Sequence, residues 1–236
     1  MMYSLSLRIF MPCLLIFALA CGNEAQQQAP EQDIVPDSVN MDGMVMSAED
    51  AACLAQSYRI CEVGIPHAYL GLQFDQMDSS AWTGARILDQ VVQRDGFKWM
   101  ERRIILPEDN GQLVLEGLAV EAAYAIDSLL SQSTISRIRI ESPVYETGNH
   151  IKIGTAVSRL FELYPDAKFE VISLMDYETI SLQVPSLSGI IYQIRDEANQ
   201  LASGAAGTFM DQDSTFKVLD AAVIPKSARI SAIVVM

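Results

Sequence analysis

Four cysteines, two histidines, two tryptophans and thirty carboxylates carry the nucleophilic, acid–base, metal-binding and stacking chemistry available to this 236-residue chain. Their spacing matters more than their number. The sequence has no C-x-x-C, H-E-x-x-H, G-x-S-x-G or phosphate-loop pattern, so the common ways of holding zinc, a nucleophilic serine or a nucleotide are not spelled out. His150 lies close in sequence to Tyr145 and Glu146, but a general base also needs a nucleophile within hydrogen-bond reach, and none is adjacent. His67 follows Pro66 and reads as a turn residue. Asp211-Gln212-Asp213-Ser214-Thr215 has the alternating oxygens that open a calcium loop. Phe216 stands where such a loop turns on glycine and Ala222 where it needs a bidentate glutamate, so a solvated acidic loop is expected. The glycine-containing stretch 202–208 lacks the lysine that grips phosphate. Trp82 and Trp99 fall on apolar stretches, where aromatic side chains serve a core more often than a ligand. The sequence therefore implies no cofactor, no metal site and no catalytic residue.

Composition narrows the classes further. Half the residues are hydrophobic and 19% are charged, enough to bury a core in one or two domains. The net charge of −14 opposes binding to phosphate backbones, and no basic stripe offsets it, so nucleic acid is excluded as a partner.

The first twenty residues form a separate unit. Arg8 precedes an apolar run over residues 9–19, which is too short to stay across a bilayer and carries Pro12; small residues and a polar stretch follow. This reads as a signal peptide over 1–20. Ala18-Leu19-Ala20-Cys21-Gly22 resembles the lipobox of bacterial lipoproteins, in which the cysteine thiol is acylated and becomes the new amino terminus. That resemblance implies lipidation (palmitate among the acyl chains) at Cys21 and a cell-envelope location. Gly22 after the cysteine resembles the pattern that permits transfer to the outer membrane. Ala18-x-Ala20 also fits an ordinary cleavage site that would release a soluble secreted protein into the periplasm or beyond. Cysteine counting favours the anchor, because Cys21, Cys53 and Cys61 would otherwise be an odd set in an oxidising compartment.

Residues 21–46 contain Gln26-Gln27-Gln28, Pro30 and Pro36 with no apolar period, and are expected to be a disordered tether. Ser47 should cap a helix over 51–59 that carries Cys53. Cys61 lies just past its end, so the two thiols either form a disulfide or stay free and buried.

Beyond this point the pattern is strand-rich. Strands are expected at 69–74, 97–106, 112–118, 135–141, 151–153, 168–174, 180–184, 189–194, 216–219 and 229–235. Helices are expected at 82–95 and, capped by Thr155, from there to Pro165; residues 119–131 fit either form. Asn110-Gly111 marks a hairpin. One pattern occurs twice: Ile135-Ser136-Arg137-Ile138-Arg139-Ile140 and Ile230-Ser231-Ala232-Ile233-Val234-Val235 both read I-S-x-I-x-aliphatic. A duplication or a shared burial rule would each produce it.

Ser142-Pro143-x-Tyr145-x-Thr147, Ile151-x-Ile153-Gly154-Thr155 and Leu160-x-x-Leu163-Tyr164-Pro165 resemble a module of bacterial periplasmic proteins and lipoproteins that generally has no assigned activity. The resemblance spans about the last 95 residues and implies a strand–helix step followed by antiparallel strands. Together these readings define an α+β protein, strand-rich and mainly antiparallel with a few short helices. Its body is one unit or two similar lobes, 47–141 and 142–236. The expected function is non-enzymatic: a membrane-anchored envelope module for an unknown protein or small molecule. The alternative is an envelope hydrolase that would unite His150 with dispersed carboxylates such as Asp211 and Asp213.

Overall fold

The computed structural model describes residues 38–41, 44–94, 96–119, 126–165, 169–172, 180–184, 186–187, 189–195, 218–219 and 224–236. The chain enters through two short strands, β1 (Ser38–Met41) and β2 (Met44–Ser47), paired antiparallel inside the stretch expected to be tether. The short helix α1 (Ala48–Leu54) follows. The Ser47 hydroxyl accepts the Asp50 backbone N–H at 3.0 Å, and Glu49 and Asp50 occupy the first turn, where the helix dipole favours negative charge. Next come two-residue strands β3 (Arg59–Ile60), β4 (Gly64–Ile65) and β5 (Ala68–Tyr69), and a 3₁₀ turn over Ser79–Trp82.

Three long strands then meander: β6 (Arg86–Arg94), β7 (Phe97–Ile105) and β8 (Gln112–Leu118). Helix α2 (Ile126–Gln132) leads to β9 (Arg137–Ile140), β10 (Glu146–Thr147) and helix α3 (Ser158–Leu163). The chain closes with β11 (Phe169–Ile172), β12 (Ile180–Gln183), β13 (Ile190–Arg195), β14 (Val218–Leu219) and β15 (Arg229–Val235).

Nine strands form one sheet, ordered β14-β11-β12-β13-β15-β9-β8-β7-β6, with every pairing antiparallel. The stretches read as lobes meet at its centre, where β15 pairs with β9. The fold is therefore α+β with a large antiparallel sheet. One sheet face carries Met100, Ile104, Leu113, Leu115, Ile138, Ile140, Tyr192 and Ile233, all without measurable exposure. They join Leu54, Ile65, Phe74, Trp82, Ile151 and Leu160 in a single core, each large side chain contributing about 1.5–3 kcal/mol by leaving water.

The centre of the sheet has a symmetric register. Ile138 opposes Val235 and Ile140 opposes Ile233. In the repeated sequence pattern Ile138 corresponds to Ile233, and Ile140 to Val235, so exchanging the two segments maps one pair onto the other. The neighbours obey the same exchange: Leu115 and Leu113 flank β9 where Tyr192 and Ile190 flank β15. The strand orders β7-β8-β9 and β12-β13-β15 thus run outward from a local twofold.

Four local expectations are corrected. Residues 82–95 were expected as a helix, but β6 occupies 86–94 and pairs with β7 along its whole length. Ile87, Leu88, Val91 and Val92 satisfy a helical stripe, yet each is paired with a residue of β7, and tertiary pairing overrides local spacing. Arg94 opposes Phe97, so β6 and β7 form a hairpin, with Gly96 at its closed end, where a helix end was expected. Residues 151–153 are not a strand: the Ile151 backbone N–H bonds the Thr147 hydroxyl and the Ile151 carbonyl accepts from Thr147, closing a turn. Thr155 does not cap α3. Its hydroxyl accepts the Lys152 N–H at 3.1 Å across a turn that Gly154 enters with φ +86°, and α3 begins after Val157. The strand expected over 69–74 is reduced to β5 and a single bridge between Gln73 and Thr134.

Candidate functional site

The described residues form a half-open cleft of about 300 Å³ between α1 and the segment 67–78. Its apolar wall comes from Ala51, Leu54, Ala55 and Leu72, and its polar rim from His67, Tyr69, Gln76 and Asp78. Each wall is fixed by a local device. The end of α1 is covalently tied to the β3–β4 segment by the Cys53–Cys61 disulfide, whose Cα atoms are 6.1 Å apart. Pro66 and His67 turn the β4–β5 hairpin. His67 takes φ +68°, which leaves its ring exposed and edge-on to Trp82, 6.1 Å between centroids.

Asp78 caps the 3₁₀ turn, and its Oδ1 accepts the Ser80 hydroxyl at 2.6 Å and the Ser80 N–H at 3.0 Å. Those bonds, the hydroxyl first, hold its carboxyl below the usual carboxylate range, with a smaller contribution from the charge of His67. Asp78 therefore remains a fixed anion at the rim. Apolar walls with a few converging polar groups are the general features of small-molecule clefts, and this volume lies at the small end of their range.

A second polar arrangement lies on the other sheet face. Glu101 and Glu116 are fully or almost fully buried, and Glu101 is bound by Arg103 at 2.6 Å and Arg94 at 2.8 Å. Arg94 also grips Glu116, which faces Arg137 at 3.3 Å. Burial opposes ionisation of Glu101, but Arg103, Gln90 and Arg94 outweigh it and hold the carboxyl below its ordinary value. Every member is a sheet position with a partner, so this network supports the strands; it offers no open reacting position.

The residues singled out by sequence are dispersed. His150 sits on an exposed turn with φ +58°, its Nδ1 2.8 Å from Glu146 Oε1 and its side chain 75% exposed. Asp211, Asp213 and Cys21 lie outside the described residues, as do all but the last residues of the expected tether. Trp82 is buried and donates from Nε1 to the Tyr145 hydroxyl at 3.4 Å. Tyr69, Gln76 and Asp78 were not anticipated. Only Asp78-x-Ser80, an Asx-type cap before an apolar residue, was a local signal for any of them. Among the described residues no helix is long and apolar enough to cross a membrane.

No protein-family model matches the chain, nor does any curated protein. A solved structure similar to it is the uncharacterized protein yfeY from Escherichia coli, 16% identical with a TM-score of 0.45, over 76% of this chain and 99% of that one.

Proposed function

We propose that the protein is a lipoprotein of the bacterial cell envelope, anchored in the outer membrane through acylated Cys21, and that its body is a non-enzymatic module that binds a small, partly apolar molecule. The observation that carries the binding half is the 300 Å³ cavity with its fixed anionic rim. The anchor half rests on the lipobox-like residues 18–21. Each acyl methylene buried in a bilayer contributes about 0.8 kcal/mol, and two or more chains hold an acidic body that the anionic surface would repel.

Two measurements test this reading separately. A fatty-acid analogue should label wild-type cells in the outer-membrane fraction and should not label the Cys21→Ser variant; equal labelling rejects the anchor. Native mass spectrometry and thermal shift against a panel of small amphiphiles should show a stabilising ligand. Ala51→Leu, which narrows the cavity, should weaken that ligand at least severalfold while the fold is kept. Identical binding by both proteins rejects the cavity as the site.

A further inference from the structure

A smaller notch, of about 100 Å³, is lined in part by Trp82 and is not used by the preceding proposal. Its lining includes the exposed ring of Tyr58 over the buried rings of Trp82 and Tyr145, together with the acidic residues Glu108 and Asp109. Tyr58 and Tyr145 stand edge to face, 5.6 Å between centroids at 77°. In such a pair the ring that presents its edge keeps both π-faces clear of the other. The Tyr145 hydroxyl is held in place by the Trp82 indole N–H.

Asp109 is preorganised. Its Oδ2 accepts the Ser142 hydroxyl at 2.6 Å and its Oδ1 accepts the Gly111 N–H at 2.8 Å. A Cβ on residue 111 would approach Ser142 Cβ to 2.6 Å and Asp109 Oδ1 to 2.8 Å, so only glycine lets the hairpin loop close this tightly. Glu108 is exposed beside it on the same loop.

We infer that this notch between the 3₁₀ turn and the β7–β8 loop binds the charged end of an organic cation, an ammonium or guanidinium group. Aromatic faces attract a cation through their quadrupole, and a fixed carboxylate supplies the counter-charge without the entropy of recruiting one. The volume matches such a head group and leaves no room for a large apolar body. The net charge of −14 draws cations toward the surface and disfavours anionic competitors.

The test uses the full chain with Trp99→Phe, so that the single remaining indole N–H signal reports Trp82. Choline, methylguanidinium and the blocked amino acids N-acetyl-lysine and N-acetyl-arginine methylamide are titrated beside 3,3-dimethylbutanol, the uncharged shape analogue of choline. At least one cation should shift the indole signal saturably, and the alcohol should not. Glu108→Gln, at an exposed position, should weaken the cation by roughly threefold to thirtyfold with an unchanged melting temperature, and Tyr58→Ala, which also gives up the ring contact with Tyr145, should weaken it at least as much while the protein stays folded. Tighter binding of the blocked amino acids than of choline supports a basic side chain of a protein partner as the source, and the reverse supports a free amine. An alcohol as effective as the cations, an indole signal that never moves, or affinities untouched by both variants would overturn the inference.

Discussion

Glu101 and Glu116 lie directly opposite each other on β7 and β8, two buried carboxylates in register, and Arg94 bridges them from the end of the neighbouring hairpin strand. Like charges so placed repel, and the pairing survives because one guanidinium satisfies both while Arg103 and Arg137 each add a second contact. Arg94→Ala should therefore cost more than a surface ion pair normally does, about 1–3 kcal/mol in urea denaturation. Arg94→Ala combined with Glu116→Gln should recover part of that loss, because the repulsion goes with the second charge. A double variant no better than the single one would show that Arg94 acts through packing alone.

The same network sets a pH dependence. The Glu101 carboxyl is held below its ordinary value of 4.5 in the folded state, so the unfolded chain binds its proton first as acid is added. Its stabilising contribution is complete above pH 4.5 and is lost as the pH falls through the folded value. Denaturation midpoints measured from pH 6 to pH 3 should drop for the wild type, and Glu101→Gln should flatten that slope while lowering the plateau at pH 6. A Glu101→Gln profile parallel to the wild type would remove Glu101 from the account.

The second half of the sheet has an opposite problem on this face. Gln193 and Ser181 oppose each other on β13 and β12, both fully buried, and neither the Gln193 amide nor the Ser181 hydroxyl has a hydrogen-bond partner among the described residues. Unpaired buried polar groups cost about 1–3 kcal/mol each. Gln193→Met with Ser181→Ala keeps much of the volume and should raise the unfolding free energy by 1 kcal/mol or more, to order of magnitude. A clear loss would mean that these atoms hold a bound water or ligand.

How far residues alone could reach this architecture is clearest at the centre of the sheet. The two I-S-x-I-x-aliphatic segments could be recognised as alike, and β15 was legible at its full extent, because alternation records burial locally. That Ile140 faces Ile233 was not legible, since register between segments ninety-odd residues apart is set by the whole core. Strand β6 was misread for a related reason: its apolar spacing suits a helix, and only pairing with β7 makes it a strand. The Ser47 cap was readable because its partner is three residues away. The two cavities were not, because Ala51, Leu72 and Asp78 in one, and Tyr58, Asp109 and Tyr145 in the other, are brought together only by tertiary folding.

The disulfide should matter to the larger cavity more than to the sheet. It closes a short loop that ties α1 to the segment just after β3, and neither α1 nor β3 is a strand of the nine-stranded ladder. Cys53→Ala with Cys61→Ala should cost about 2–3 kcal/mol and should expose the amides of α1 to hydrogen exchange before those of β8 and β9. Equal acceleration across helix and sheet would indicate that α1 is part of the cooperative core.

Alkali tests the core from the other side. Tyr192 is fully buried on β13, and burial pushes its phenol well above the ordinary value of 10.0, with Tyr164 adding to the shift. A folded value above the unfolded one means that the unfolded chain loses the proton first as pH rises. The stability tied to the neutral phenol is therefore complete below pH 10.0 and declines above it, toward the folded value. Tyr192→Phe removes the titrating group while keeping the ring that fills the space beside Leu182 and Ile233. Its midpoint of urea denaturation should fall less than the wild type's between pH 9 and pH 11.5. Should both proteins lose stability in parallel over that range, the alkaline transition belongs to other groups, with the surface lysines and the remaining tyrosines the next to test.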